Sequence, residues 1–116
     1  MSIIIYHNPR CSKSRQTLAI LDKNRSPYTI VEYLKNPPSV KTLKLILNRL
    51  DMGPRDIMRK SEAAYKNLGL SDPKFPKDKL IKTMSEYPEL IERPIVIRGE
   101  KAVIGRPPEN VLLLLK

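Results

Sequence analysis

Hydrophobic residues fall along this chain in two kinds of pattern. The first is the short β-branched run: Ser2 to Tyr6, Tyr28 to Tyr33, Ile95 to Ile97 and Ala102 to Ile104. Runs of this length, stopped by Asn8-Pro9 and broken by other Gly and Pro pairs, predict short strands. The second pattern is helical spacing. Ser12 to about Asn24 carries Leu18, Leu21 and Thr17 on one face, with Lys13, Gln16 and Lys23 on the other. Val40, Leu43, Ile46, Leu47 and Leu50 follow the same period behind Ser39, a suitable N-cap, and Gly53-Pro54 ends that helix. Between Arg55 and Tyr87 only short helical pieces are expected. The strongest is Lys77 to Tyr87, with Leu80, Ile81 and Met84 inward. A last helix should begin at about Glu109, with Pro108 in its first turn.

The resulting order is β-α-β, a helical middle, then β-β-α. Two strands joined through a helix should be parallel with a right-handed crossover. The last two flank Arg98-Gly99-Glu100-Lys101, and Gly at the first central position suits a type II′ hairpin turn. The fold class is therefore α/β, a four-stranded mixed sheet in one domain, with a helical insert at about residues 39–90.

Composition narrows the function. A chain of 116 residues buries roughly two-thirds of its unfolded surface, enough for a core without cross-links. One Cys and one His can supply neither an internal disulfide nor a structural zinc site, which takes about four ligands, so no metal is expected. The apolar start is far shorter than a signal-peptide core, and Val111 to Leu115 is too short for a membrane span. The expected setting is the cytoplasm, where a thiol stays reduced. Lys plus Arg number 22 against 12 Asp plus Glu, a net charge of +10 that attracts anions. Nucleic acid is not favoured as the main ligand, because there is no Trp and one Phe for base stacking and the charge is spread along the whole chain. Small oxyanions remain. Nothing in the chain demands a dimer, so a monomer is expected.

The one cysteine, Cys11, stands where a strand gives way to a helix, in Tyr6-His7-Asn8-Pro9-Arg10-Cys11-Ser12-Lys13-Ser14. Free N–H groups of a first helical turn stabilise an anion, and Arg10, Lys13 and Arg15 add charge nearby. At pH 7 a thiol of pKa about 8.5 is only about 3% ionised, whereas one of pKa about 6.5 is roughly three-quarters ionised. The setting can thus turn an inert thiol into a nucleophile, although a lone Cys also serves as a small buried hydrophobe. Ser14 occupies the place of the second thiol in a Cys-x-x-Cys pattern. Its hydroxyl can donate to the thiolate but cannot resolve a disulfide, so a resolving thiol must come from another molecule. His7 is either a partner of the thiol or a polar loop residue.

Three arginines form a second candidate constellation. Arg59 follows a short apolar turn, Arg93 precedes the third strand in Glu92-Arg93-Pro94-Ile95, and Arg106 follows the fourth in Gly105-Arg106-Pro107-Pro108. The start of the third strand and the end of the fourth share one end of the hairpin, so Arg93 and Arg106 can converge. Guanidinium forks suit tetrahedral oxyanions; the alternative is three unrelated surface arginines.

With "YHNPRCSKSRQTL", "MRKSEAAYKNLGL" and "ERPIVIRGEKAVIGRPPENVLLLL" in order and at compatible spacing, the chain closely resembles the glutaredoxin-linked arsenate reductase family, essentially end to end. The resemblance implies a thioredoxin-like fold with a helical insert and a cis bond before Pro94. It implies Cys11 as nucleophile, His7 and Ser14 as neighbours tuning the thiolate, and Arg59, Arg93 and Arg106 as oxyanion ligands. It implies arsenate as substrate, glutathione as co-substrate, glutaredoxin as partner and no tightly bound cofactor. Lys13 departs from the family's smaller, neutral residue beside the nucleophile. The superfamily also holds glutathione-linked thiol reductases of other substrates and regulators that bind RNA polymerase. Those regulators usually carry Cys-x-x-Cys and lack the full arginine set, so Ser14 and Arg106 speak against that reading.

Overall fold

In the computed structural model, which describes residues 2–115, the four apolar runs pair into one sheet. The strands are β1 (Ile3–His7), β2 (Tyr28–Glu32), β3 (Ile95–Arg98) and β4 (Lys101–Ile104), in the order β2-β1-β3-β4. β1 and β2 are parallel, as a helical connection requires, with Ile3 opposite Tyr28 and His7 opposite Glu32. β3 runs antiparallel to both β1 and β4. Arg98 pairs with Lys101, leaving a two-residue turn. Its Gly99 has φ +61° while Glu100 keeps a negative φ, the combination of a type II′ turn.

The chain divides into two compact units: Met1–Asn36 with Arg93–Lys116, and Pro37–Glu92. The first holds the sheet and helix α1 (Ser12–Lys23). Its core gathers Ile3, Ile5, Leu21, Val96, Val111 and Leu114, with Leu18 packed against them. Burying each of these side chains contributes roughly 1.5–3 kcal/mol. The last segment differs from expectation. Pro108–Leu114 is a 3₁₀ helix and not an α-helix, and it buries Pro108, Val111 and Leu114. That spacing of three matches three residues per turn, so one eclipsed row of side chains reaches the core.

α1 ends with the N–H groups of Arg25 and Ser26 donating to the carbonyls of Asp22 and Leu21, and Arg25 takes φ +53°. This is a Schellman ending whose left-handed position carries Arg where Gly is preferred. Arg25→Gly should therefore stabilise the protein by about 0.5–1 kcal/mol, read as a higher urea midpoint with unchanged slope.

The second unit comprises α2 (Val40–Leu50), a 3₁₀ turn at Pro54–Ile57, α3 (Ala63–Asn67), α4 (Lys77–Glu86) and a 3₁₀ turn at Pro88–Leu90. Ser39 caps α2, its Oγ accepting from the Thr42 N–H at 3.1 Å. Leu43, Ile46 and Leu47 of α2 and Leu80, Ile81 and Met84 of α4 are buried, and the two helices pack together. Arg55 ties the loop after α3 by donating to the carbonyls of Leu70 and Asp72. Met58 and Ile91 form an isolated antiparallel bridge. Among the described residues no helix is long and apolar enough to cross a membrane.

Candidate active site

The loop between β1 and α1 is built by Asn8 and Pro9. Pro9 presets the turn, the Asn8 carbonyl accepts from the Cys11 N–H at 3.0 Å, and Asn8 Oδ1 accepts from the Arg10 N–H at 3.0 Å. Arg15 reaches back from α1 and donates Nη1–H to the Pro9 carbonyl at 2.9 Å. These bonds place Cys11 at the N-cap of α1, with extended backbone and 8% of its surface exposed.

Burial pushes the Cys11 thiol up, as it does any group that ionises to an anion. The Ser14 main-chain N–H, the Arg93 guanidinium and the Lys13 main-chain N–H more than offset this, so the thiol lies below its ordinary value. The helix therefore acts on the sulfur through its own first-turn amides. Arg93 adds a full positive charge beside the sulfur.

Ser14 and His7 take up positions that the sequence did not suggest. Ser14 is fully buried, on the face of α1 that also buries Thr17 and Leu21. Its Oγ is hydrogen-bonded to His7 Nδ1 at 2.5 Å and accepts from the Asn8 N–H at 3.1 Å. The hydroxyl is thus engaged away from the sulfur, and the main-chain N–H is the Ser14 group that serves it. His7 is not a loop residue: it is the last residue of β1, 6% exposed. Burial lowers its pKa, Glu32 raises it and Arg15 lowers it, with a net shift below the ordinary histidine value. A buried, neutral imidazole costs stability once the unfolded chain can bind the proton. Stability should therefore fall as pH drops from about 6.5 toward the lower native value. His7→Asn should flatten that part of the curve, measured as urea midpoints from pH 7.5 to 5.

Arg93 and Arg106 do converge. Ile95 and Ile104 are paired, which puts the residues before β3 and after β4 at one end of the hairpin. Arg106 Nε–H donates to the Arg93 carbonyl at 2.9 Å, and its Nη2–H donates to Cys11 Sγ at 3.5 Å. Both peptide bonds that follow these arginines, to Pro94 and Pro107, are cis. Arg59 belongs to the other unit. Its N–H donates to the Leu90 carbonyl at 2.7 Å, and its Nη1 is buried without a hydrogen-bond partner. No group of His, Cys, Asp and Glu among the described residues could hold a metal ion.

Two supporting residues escaped the sequence reading. A Cβ on Gly105 would lie 2.6 Å from Thr17 Oγ1 and 2.7 Å from Pro94 Cγ, so only glycine lets the chain after β4 press between α1 and Pro94. Asn110 donates Nδ2–H to the carbonyls of Ile104 and Arg106, at 3.2 and 3.1 Å, and so braces the segment that carries Arg106. The signal for both was the compact Gly105-Arg106-Pro107-Pro108-Glu109-Asn110 string, which marks a shaped loop without naming its contacts. Gly105→Ala should cost about 1–3 kcal/mol by overpacking. It should also move Arg106, so a lower urea midpoint and a changed rate of Cys11 alkylation are expected together.

Known proteins resemble the chain along nearly its whole length. The ArsC family profile matches residues 6–114. The arsenate reductase of Haemophilus influenzae is 50% identical over 99% of this chain and 100% of its own length. That of Neisseria meningitidis serogroup A is 43% identical over 97% of each. The solved structure of the arsenate reductase from Vibrio cholerae superposes with a TM-score of 0.95 at 46% identity, covering 97% of both chains. The four-stranded mixed sheet is the thioredoxin-like fold of these proteins. On sequence and structure alike, the chain belongs to the ArsC family.

Proposed function

We propose that this protein is an arsenate reductase that uses Cys11 as its nucleophile and draws its electrons from glutathione and glutaredoxin. The observation that carries this reading is the setting of Cys11 Sγ, at the first turn of α1 and facing the guanidinium groups of Arg93 and Arg106. Relatives that match nearly the whole chain are arsenate reductases, which supports it. An arsenate ion carries one to two negative charges near neutral pH, and a thiolate cannot approach it unless those charges are offset. Guanidinium forks offset them and hold the tetrahedron in line with the sulfur. Arg59 is proposed as the third such ligand, from the resemblance and from an Nη1 donor that has no partner.

The thiolate attacks arsenic, a sulfur–arsenic bond forms, and one oxygen leaves as hydroxide that is protonated to water. A glutathione thiol then displaces a second hydroxide, linking arsenic to both sulfurs. A glutaredoxin thiolate attacks the glutathione sulfur. That makes a mixed disulfide and leaves the arsenic–sulfur electron pair on arsenic, which passes from the +5 to the +3 state. Water replaces Cys11 on arsenic, arsenite departs and the thiolate is restored. Every electron is supplied by external thiols, which accords with Ser14 standing where a second cysteine would be. Glutathione enters as a co-substrate and no resident cofactor is required.

The test is NADPH oxidation coupled through glutathione reductase, in the presence of glutathione and glutaredoxin. Oxidation should depend on arsenate and on this protein together, with arsenite as product. Oxidation that proceeds equally without arsenate would point to a glutathione-linked thiol reductase of another substrate.

A further inference from the structure

Beside the cysteine loop lies a groove that this chemistry has not yet used. It has a volume of about 230 Å³, and its lining includes His7, Asn8, Arg10, Glu32, Leu34 and Lys35. Both walls are hydrogen-bonded turns at the C-terminal ends of the parallel strands β1 and β2. One is closed by the Cys11 N–H on the Asn8 carbonyl, the other by the Lys35 and Asn36 N–H groups on the Glu32 carbonyl. His7 and Glu32 are in register, so the two turns stand side by side and the groove is preformed. Its chemistry is mixed. Arg10 and Lys35 offer two cations, and Glu32 offers one carboxylate, 3.8 Å from Lys35 Nζ. Leu34 leaves 44% of its surface exposed on the same turn.

We infer that this groove seats glutathione, an inference that rests on the reductase reading above. The tripeptide carries two carboxylates, one ammonium and a thiol on its central residue. Arg10 and Lys35 suit the carboxylates, Glu32 suits the ammonium, and Leu34 packs against the peptide's apolar stem. A volume below the roughly 300–1,000 Å³ of pockets that enclose a drug-sized ligand fits a peptide lying half exposed, as a co-substrate that must leave again should. The groove also borders the cysteine loop, because Arg10, one of its lining residues, directly precedes Cys11. Direction supports the assignment. Arg93 and Arg106 belong to the β3 and β4 side of β1, whereas the groove lies on the β2 side. Arsenic held by the arginines therefore presents a different side to the incoming thiol, and the two substrates do not compete for the same cations.

Two measurements test this. In the coupled assay, Leu34→Asp with Lys35→Glu should raise the glutathione KM about fivefold to tenfold. The arsenate KM and the rate of Cys11 alkylation should be unchanged. In the Cys11→Ser protein, S-methylglutathione, which has no free thiol, should shift the amide resonances of Arg10, Glu32, Leu34 and Lys35, and the double variant should abolish those shifts. An unchanged glutathione KM, or shifts confined to Arg93 and Arg106, overturns the groove assignment while leaving the reductase reading intact. Absence of arsenate-dependent turnover in the unmodified protein, with the groove shifts present, overturns the reductase reading and leaves the thiol-peptide site standing.

Discussion

Cys11→Ser should abolish arsenate-dependent NADPH oxidation and leave the protein folded. The hydroxyl is nearly the same size as the thiol and the position is at the rim of the core, so the urea midpoint should move little. The loss of turnover is total because the alcohol stays protonated at any working pH and cannot form the sulfur–arsenic bond. A companion measurement isolates the activation of the thiol. In the unmodified protein the iodoacetamide rate should titrate with a midpoint clearly below the ~8.5 of a free thiol. The sign follows from the native shift, which is downward through the amides of Ser14 and Lys13 and the charge of Arg93. As pH falls, the native sulfur remains ionised through the range where an unfolded chain's thiol has already taken up its proton. A midpoint at or above 8.5 would show that burial outweighs those donors, and the nucleophile assignment would fail with it.

The second large effect is expected at the arginines. Arg93→Ala and Arg106→Ala should each raise the barrier by about 2–4 kcal/mol, about 30-fold to 1,000-fold in kcat/KM. The Lys variants should recover part of the loss, because charge returns while the planar fork does not. The two positions should also differ. Arg93 shifts the Cys11 thiol directly, so Arg93→Ala should raise the alkylation midpoint as well as slow turnover. Arg59→Ala belongs in the same series. A variant there with unchanged kcat/KM removes Arg59 from the oxyanion ligands without touching the other two.

Local features of the fold could be read from the residues because local physics governs them. Ser39 before a periodic apolar run marked α2, Gly99 at a two-residue turn marked the hairpin, and Leu80, Ile81 and Met84 showed which face of α4 is buried. Even the approach of Arg93 to Arg106 followed from the hairpin they flank. What escaped depends on contacts between distant segments. Nothing near Ser14 in the sequence shows that its hydroxyl is engaged by His7, because that depends on how α1 lies on β1. The need for glycine at position 105 comes from Thr17 and Pro94, both remote in sequence. The apolar Val111 to Leu115 run carried no period that could separate a 3₁₀ helix from an α-helix; burial of every third residue decided it.

Cys11 and the arginine that donates to its sulfur stand 95 positions apart, with the whole helical unit between them in sequence. During synthesis at about 5–20 residues per second, the thiol is made roughly 5–19 seconds before Arg106 exists. Until Arg93 and β3 have also been made, β1 has no β3 beside it and the sulfur has neither guanidinium neighbour, so only its local amides can act. A growing chain on the ribosome thus carries a cysteine with its local amides but without the charges that complete its setting. The anion-facing side of the sulfur is finished only when the last part of the chain has been translated and docked.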